Sequence, residues 1–353
     1  MKYHIALSRQ FDLEGIHQNA QAGKRPCHVM WDISQTLRAT VYQPGTEEVL
    51  PLDKVRAKVI SSPQHWALAR RLAHNLGSKD VIFCAGEDVG FPVATLCSSK
   101  QEKPKIIVFV HNVNRPRSRF ALKMLEMSKR VDLFMTYTPS QANFLSEYLN
   151  LPQNRICLFL EQPTDISFFK PGSISQNKRR PLIASGGLEK RDYCTLAKAT
   201  HDLDLDVKIC AVSPNAAACK RAFPEVLPGN MSCHAYDWGD LLQLYRDCDL
   251  AVVSLFENNY QAGLTTMFEA LACRRPVVIT RCPGIIQDLI DSGVVLGVDA
   301  EDDEQLRQVI LKLLNNPKQA RVQAERGYQL MIEKYNHRKY VQSFVEQITA
   351  FEK

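Results

Sequence analysis

The feature that most constrains this chain is a rhythm: short apolar runs of strand length alternate with longer amphipathic stretches from one end to the other. In the first half the runs are "YHIALS", "ATVYQP", "DVIFCAG", "KIIVFVHN", "DLFMTYT" and "RICLFL", with helical patterns such as "PQHWALARRLAHNL" and "PSQANFLSEYLN" between them. Strand, helix, strand repeated in this way predicts a parallel sheet covered on both faces. The cycle then starts again with "PLIASGG", "DVKICAV", "DLAVVSLF", "PVVITR" and "VVLGV". Its helices fall at "RDYCTLAKAT", "WGDLLQLYRDC", "TTMFEALACR" and from "DEQLRQVILKLLNN" onward. No longer period recurs, which sets solenoids and propellers aside.

A chain of 353 residues is too long for one compact core. The stretch "FFKPGSISQNKRRP" between the two cycles, rich in Pro, Gly, Ser and basic residues, has the composition of a linker. The expected architecture is α/β, with two doubly wound, Rossmann-like domains facing a cleft. They span 1–170 and 171–353, and the last helix, about 335–353, packs back on the first domain. In open parallel sheets ligands bind beyond the carboxyl ends of the strands, so the chemistry is sought in the loops there.

Composition narrows the class. The chain is 45% hydrophobic and 23% charged, without the uninterrupted apolar run of about 18 residues that a membrane span needs. Its start has no secretory signature, and its 11 cysteines are scattered and never spaced CxxC, which suggests neither a disulfide framework nor a zinc site. A cytosolic protein is expected. The net charge of +6 is unevenly placed: residues 1–171 hold 22 Lys and Arg against 15 Asp and Glu, the remainder 22 against 23. The densest basic part is "RPRSRFALKMLEMSKR", Arg115 to Arg130, with Phe120, Met124 and Met127 about one helical turn apart. It reads either as a peripheral contact with anionic lipid or as a surface helix with a solvated basic face. No nucleic acid is expected as a partner.

The most informative segment is "QAGLTTMFEALACRRPVV", Gln261 to Val278. The apolar strand "DLAVVSLF" leads through the polar loop "ENNYQAG" to Gly263, which permits a sharp entry into a helix beginning near Thr265 or Thr266. The free amides of a helix's first turn, with its positive dipole end and two threonine hydroxyls, suit a phosphate. Thr266-Met-Phe-Glu269 also has the form of a capping box, so Glu269 reads as a ligand group or as a cap. A second strand, "PLIASGG", ends in Gly186-Gly187 followed by Lys190 and Arg191, cations suited to a diphosphate. The glycines are adjacent and basic residues fill the turn, so this is not the GxGxxG dinucleotide fingerprint, and a dehydrogenase is disfavoured.

These segments resemble the retaining GT-B glycosyltransferases of family 4, the glycosyl transferases group 1. That family's signature pairs two glutamates with seven residues between them, then Ala and, after a few residues, Pro-Val-Val. Here Glu269, Ala270 and Pro276-Val277-Val278 match, while Gln261 stands at the first glutamate and Gly263 sits one place early. "GGLEKRDYCTL" resembles the family's basic motif, with Arg191 at the usual lysine and Leu188 where arginine is common. "LEQPTDISFFKPG" resembles its interdomain segment, and "IIVFVHN" its strand ending in histidine. The second-half likeness runs from about 181 to 299, whereas the first 100 residues match as a pattern of strands and helices.

The resemblance implies an acceptor-binding first domain and a second domain that holds a nucleotide-activated sugar, a UDP-sugar being favoured. Glu269 would accept from ribose hydroxyls. Lys190 and Arg191 would neutralise the diphosphate, and the amides of Gly263, Leu264, Thr265 and Thr266 would hold its oxygens. Gln261 would face the transferred sugar, and as an amide it cannot be an anionic nucleophile, leaving a same-face substitution assisted by the departing diphosphate. His111 would stand near the reacting centre. Glu87 and Asp88, in "AGEDVGFP", read as acceptor-binding groups or ordinary loop acids, and Tyr236 and Trp238, after a short strand, as base-pocket, core or cap residues. The acceptor would be a glycan, a lipid or a small molecule. No cofactor is implied beyond the donor as substrate, and no metal: the acidic run Asp202 to Asp206 falls at the wrong end of a parallel strand. The competing reading is a catalytically silent protein of the same fold that binds a sugar nucleotide or a protein partner.

Overall fold

A computed structural model describes residues 1–212, 219–258 and 261–351. Two compact units emerge: Met1–Gly15, His28–Leu160 and Phe344–Lys353 form unit 1, and Ile16–Cys27 with Glu161–Ser343 form unit 2.

Unit 1 holds six parallel strands: β1 (Lys2–Ala6), β2 (Thr40–Tyr42), β3 (Asp80–Cys84), β4 (Lys105–Phe109), β5 (Leu133–Thr136) and β6 (Ile156–Leu158), in the order β2-β1-β3-β4-β5-β6. Every expected first-half run supplies one of them. The interior strands are buried almost throughout, because helices cover both faces and leave no side for polar residues. Trp66, Leu68 and Leu72 of helix Pro63–Asn75 pack with Ile82, Ile106 and Val108 in this core. That helix opens on Ser62-Pro63 and helix Pro139–Leu149 on Thr138-Pro139. In each the hydroxyl accepts from an amide three residues on, while proline fills a position that has no hydrogen bond to lose. Phe344 of the last helix, His337–Ala350, is fully buried edge-on to Phe83 and Phe159 of this unit.

Unit 2 holds β7 (Leu182–Gly186), β8 (Asp206–Cys210), β9 (Met231–His234), β10 (Leu250–Val253), β11 (Val277–Thr280) and β12 (Leu296–Val298), in the order β12-β11-β10-β7-β8-β9, all parallel. The chain winds outward from β7 through β8 to the edge strand β9, then returns to β10 on the other side of β7 and winds outward again. The order reverses between β7 and β10, where Leu250 pairs with Ile183 and Ala251 with Ala184. At such a switch point the loops leaving two adjacent strands diverge to opposite faces and leave a crevice at their carboxyl ends. Unit 1 has its own reversal between β1 and β3.

Two local expectations are corrected. Residues 115–130 are not one helix: Pro116–Met124 ends, Glu126 turns left-handed at φ 49°, and Met127–Arg130 follows, which buries Met127 while Phe120 and Met124 stay exposed. The helix of the signature segment runs Leu264–Ala272, starting ahead of the threonines expected to open it. Asn259 and Tyr260 of the "ENNYQAG" loop lie outside the described residues.

Candidate functional site

The two motifs of unit 2 leave β7 and β10, the strands that flank its switch point. After β7 the chain turns at Gly187 (φ 88°) and again at Lys190 (φ 58°) before Arg191 folds back. The two loops are stitched together by backbone: Phe256 N donates to Lys190 O (2.9 Å) and Asp192 N to Ser254 O (3.0 Å). Arg191 is 4% exposed. Its Nε donates to Gly186 O (2.5 Å), Nη1 to Glu189 O (2.9 Å) and Nη2 to Thr266 Oγ1 (3.1 Å), so one guanidinium clamps the first loop onto the helix that follows the second. A Cβ on Gly187 would stand 2.5 Å from Arg191 Nη2, and one on Gly263 (φ 94°) 2.6 Å from Val253 Cγ1. Both glycines are therefore required by close approach as well as by their backbone.

Gly263 is the N-cap of helix Leu264–Ala272 and makes no side-chain cap bond. This corrects the capping-box reading of Thr266 and Glu269. Because the left-handed glycine starts the helix at Leu264, Thr266 faces β7, its hydroxyl donating to Gly186 O (3.3 Å), and Glu269 falls in the second turn, beyond the orphan amides. The first-turn amides of Leu264, Thr265 and Thr266 are left without helical acceptors. Leu264 and Thr266 are buried, whereas Thr265 and Lys190 are exposed.

Glu269 is 9% exposed and one turn from Thr266 on the same helix face. Tyr245, buried in helix Trp238–Asp247, donates to its Oε2 at 3.0 Å, and no hydrogen bond from the described residues reaches Oε1. Burial pushes the Glu269 carboxyl up to about 8, against the pull of the Tyr245 hydroxyl and the Arg191 charge. Burial likewise depresses Arg191, though a guanidinium stays charged. A buried cation and a buried carboxyl thus share the crevice with a glycine turn and a helix start, a set of groups that matches a phosphate next to a diol.

Gln261 is 3% exposed at φ 58°, and its Oε1 accepts from Ile285 N (2.8 Å), the first residue of helix Ile285–Asp291. Gly284 (φ 95°) makes room for it, since a Cβ there would meet the Gln261 amide at 2.8 Å. The amide oxygen thus anchors the loop after β11. Tyr236 follows β9, half-buried and edge-on to His234. Trp238 is 38% exposed, packed edge-on to Phe168 and Phe169 with the Arg25 guanidinium 5.7 Å from its ring centroid. Phe169 also packs on Tyr245 (6.0 Å), so the "SFFKPG" segment buttresses the residue that holds Glu269. Asp165 of that segment is buried, binding Cys27 N, Ser167 N and Ser167 Oγ; burial opposes its ionisation, but these bonds hold the carboxyl below its ordinary range.

The remaining expected site residues lie in unit 1, at the carboxyl ends of β3 and β4. Glu87 accepts from His111 N (2.9 Å) and Asn112 N (3.3 Å), tying these two loops together. His111 is exposed, its ring beside Phe109 and Tyr137 and its Nε2 3.3 Å from Ala85 O. Asp88 accepts from Ser8 Oγ (2.6 Å), drawing the β1 and β3 loops together at the reversal. His65 joins the same group, its Nε2 2.8 Å from Ser8 O and its Nδ1 2.7 Å from Ser61 Oγ.

Sequence reasoning missed Tyr245, His65 and Ser61. Tyr245 was visible only as an inward position of an expected helix; nothing in its spacing pairs it with Glu269, 24 residues on. The Asp202 to Asp206 run leads into the start of β8, with Asp202 bound to Arg307 and Asp204 and Asp206 to Arg180.

Two Rossmann-like units with doubly wound parallel sheets, the second with this crevice at its switch point, define the fold of the GT-B glycosyltransferases. Residues 182–316 match the family model described as Glycosyl transferases group 1, so the second unit carries a domain of that group and the chain is an enzyme of the transferase class. The fold is similar to that of sucrose-phosphate synthase from Thermosynechococcus elongatus (14% identity, 99% of this chain and 99% of that one covered, TM-score 0.74). It is similar too to alpha,alpha-trehalose 6-phosphate synthase from Burkholderia multivorans (12%, 100% and 99%, TM-score 0.74) and to HepE from Anabaena in complex with UDP-glucose (12%, 99% and 100%, TM-score 0.70). No curated protein sequence matches the chain. Among the described residues no helix is long and apolar enough to cross a membrane.

Proposed function

We propose that this protein is a retaining glycosyltransferase that moves a sugar from a nucleoside diphosphate sugar, a UDP-sugar foremost, to an acceptor hydroxyl without a metal ion. The observation that carries this reading is the buried pair of unit 2, Arg191 clamped between the Gly187 turn and Thr266, and Glu269 held by Tyr245 with no hydrogen bond to Oε1 from the described residues. In this reading Glu269 accepts from the ribose hydroxyls. Diphosphate oxygens meet the amides of Leu264, Thr265 and Thr266, and Lys190 and Arg191 supply positive charge to the leaving group. That charge stands in for a cation. As the anomeric carbon–oxygen bond breaks, the departing phosphate oxygen takes the acceptor's proton on the same face, so configuration is retained. Gln261 positions its loop and offers no nucleophile. His111 provides a ring nitrogen or its carbonyl at the first unit's edge, and Glu87 and Asp88 keep lone pairs for an acceptor that is a glycan, a lipid or a small molecule. A cytosolic location goes with this reading, and the Anabaena neighbour with UDP-glucose supports the choice of base.

The test is a thermal-shift and calorimetric screen against UDP, GDP and ADP, followed by sugar transfer from the matching donors and an NMR assignment of the product's anomeric configuration. Stabilisation by one base and an anomer matching the donor's is expected; binding to none, or an inverted product, rejects the proposal. One observation favours a silent binding protein instead: Gln261 replaces a carboxylate and is buried against Ile285 N. Nucleotide binding without transfer to any acceptor would select that reading.

A further inference from the structure

Unit 1 carries a second surface feature, made by residues other than those of the candidate site. Arg117, in helix Pro116–Met124, donates from Nε to Val59 O (2.9 Å) and from Nη2 to Ala57 O (2.8 Å) and Lys58 O (3.3 Å). It thereby fastens that helix to the end of helix Pro51–Ala57, a neighbour 60 residues away in the chain. Of the two helices so joined, Leu52 is 54% exposed, Val55 58%, Phe120 58% and Met124 44%, two large apolar side chains from each. Residues 50–58 and 115–125 hold seven Lys and Arg against one acid, Asp53. That acid is buried and bound to Leu50 N and Arg70, so it faces nothing outside. The next acid along the chain, Glu126, is paired with Lys129. Lys54, Lys58 and Lys123 have no carboxylate partner among the described residues and are exposed. The Arg119 guanidinium and the Lys123 ammonium lie over the Tyr148 ring, which fixes their stems against the unit.

We propose that this two-helix face docks peripherally on an anionic lipid surface. Exposed apolar side chains on two fastened helices that also carry lysines without carboxylate partners match a membrane interface, where side chains such as Phe120 and Val55 enter the headgroup boundary while lysines meet lipid phosphates. A soluble polyanion would satisfy the cations and leave the four apolar groups in water. Helix Pro116–Met124 starts five residues after His111, so docking brings the carboxyl edge of the first sheet to the lipid. The inference does not depend on the chain's catalysing transfer, and its test reads binding alone.

The full chain is sedimented with vesicles of phosphatidylcholine, and of phosphatidylcholine with about a third phosphatidylglycerol, at low and high salt. Partition onto the anionic vesicles at least tenfold above the neutral ones, falling with salt, is expected. Phe120→Ser with Met124→Ser should lower it at either salt, and Lys54→Gln with Lys58→Gln should lower it about fivefold per lysine at low salt. These positions are exposed, and unchanged melting temperatures verify that each variant folds. Equal partition onto both vesicle types, or variants that bind like the parent, overturns the proposal. So does vesicle-free self-association abolished by the Phe120 and Met124 changes, which would assign the face to a second copy of the chain.

Discussion

Glu269→Gln separates the stability of unit 2 from its chemistry, because the two should move in opposite directions. Burial raises the carboxyl from 4.5 to about 8. At about 1.36 kcal/mol per unit the fold prefers the neutral form by roughly 4–5 kcal/mol. The folded value lies above the unfolded one, so this contribution is fully present below about 4.5 and is lost as the pH rises through about 8. Glutamine has nearly the same shape, keeps an oxygen for the Tyr245 hydroxyl and cannot ionise. The variant should therefore gain on the parent in unfolding free energy from pH 5 to pH 8, approaching that figure, and level off above it. Nucleotide affinity should do the reverse. Hydrogen bonds to a charged acceptor contribute about 1.5–3 kcal/mol, so at pH 8.5 the variant should bind UDP roughly ten- to a hundredfold more weakly. The parent's affinity should climb as Glu269 ionises, while the variant's stays flat. Calorimetric titration with UDP from pH 6.5 to 9, beside urea unfolding in the same buffers, measures both. A variant that unfolds more easily at pH 8.5 while its UDP affinity is intact would mean that Glu269 is a structural anchor, and the argument fails.

Other substitutions test its surroundings. Tyr245→Phe removes the donor to Glu269 and should push the carboxyl higher still, so UDP binding should weaken at pH 7 and partly recover by pH 9; a uniform loss at all pH values would point to misfolding. Gly263→Ala places a Cβ 2.6 Å from Val253 at φ 94° and should cost about 1–3 kcal/mol by urea unfolding, with UDP affinity falling in parallel. Gln261→Glu keeps an acceptor for Ile285 N but adds a carboxylate at a 3% exposed position, so its melting temperature should drop as the pH rises. Faster transfer by that variant would show that the glutamine, not the surrounding loop, limits the reaction.

The sequence by itself determined the layers. Runs such as "KIIVF" and "LAVV" have no polar face and can lie only in a sheet covered on both sides, and eleven of the twelve strands coincide, β1 to within one residue, with runs read from this pattern. The edge strand β9 was harder to delimit because its short, half-exposed "MSCH" lacks that signature. The glycine turns, the cationic pair and Glu269 were legible as well, since each sits within a few residues of a strand's carboxyl end.

Tertiary structure alone decided what those groups do to one another. Thr266 and Glu269 spell a capping box, yet a left-handed glycine that starts the helix at Leu264 turns the threonine to Gly186 O and gives the glutamate to Tyr245. The residues from 115 to 130 spell one amphipathic helix, yet a turn at Glu126 buries Met127 and Arg117 reaches across to the helix at 51–57. Local spacing fixes which residues share an element, because backbone geometry is periodic. Partners 24 or 60 residues apart are chosen by how the elements pack, and no period in the chain encodes that.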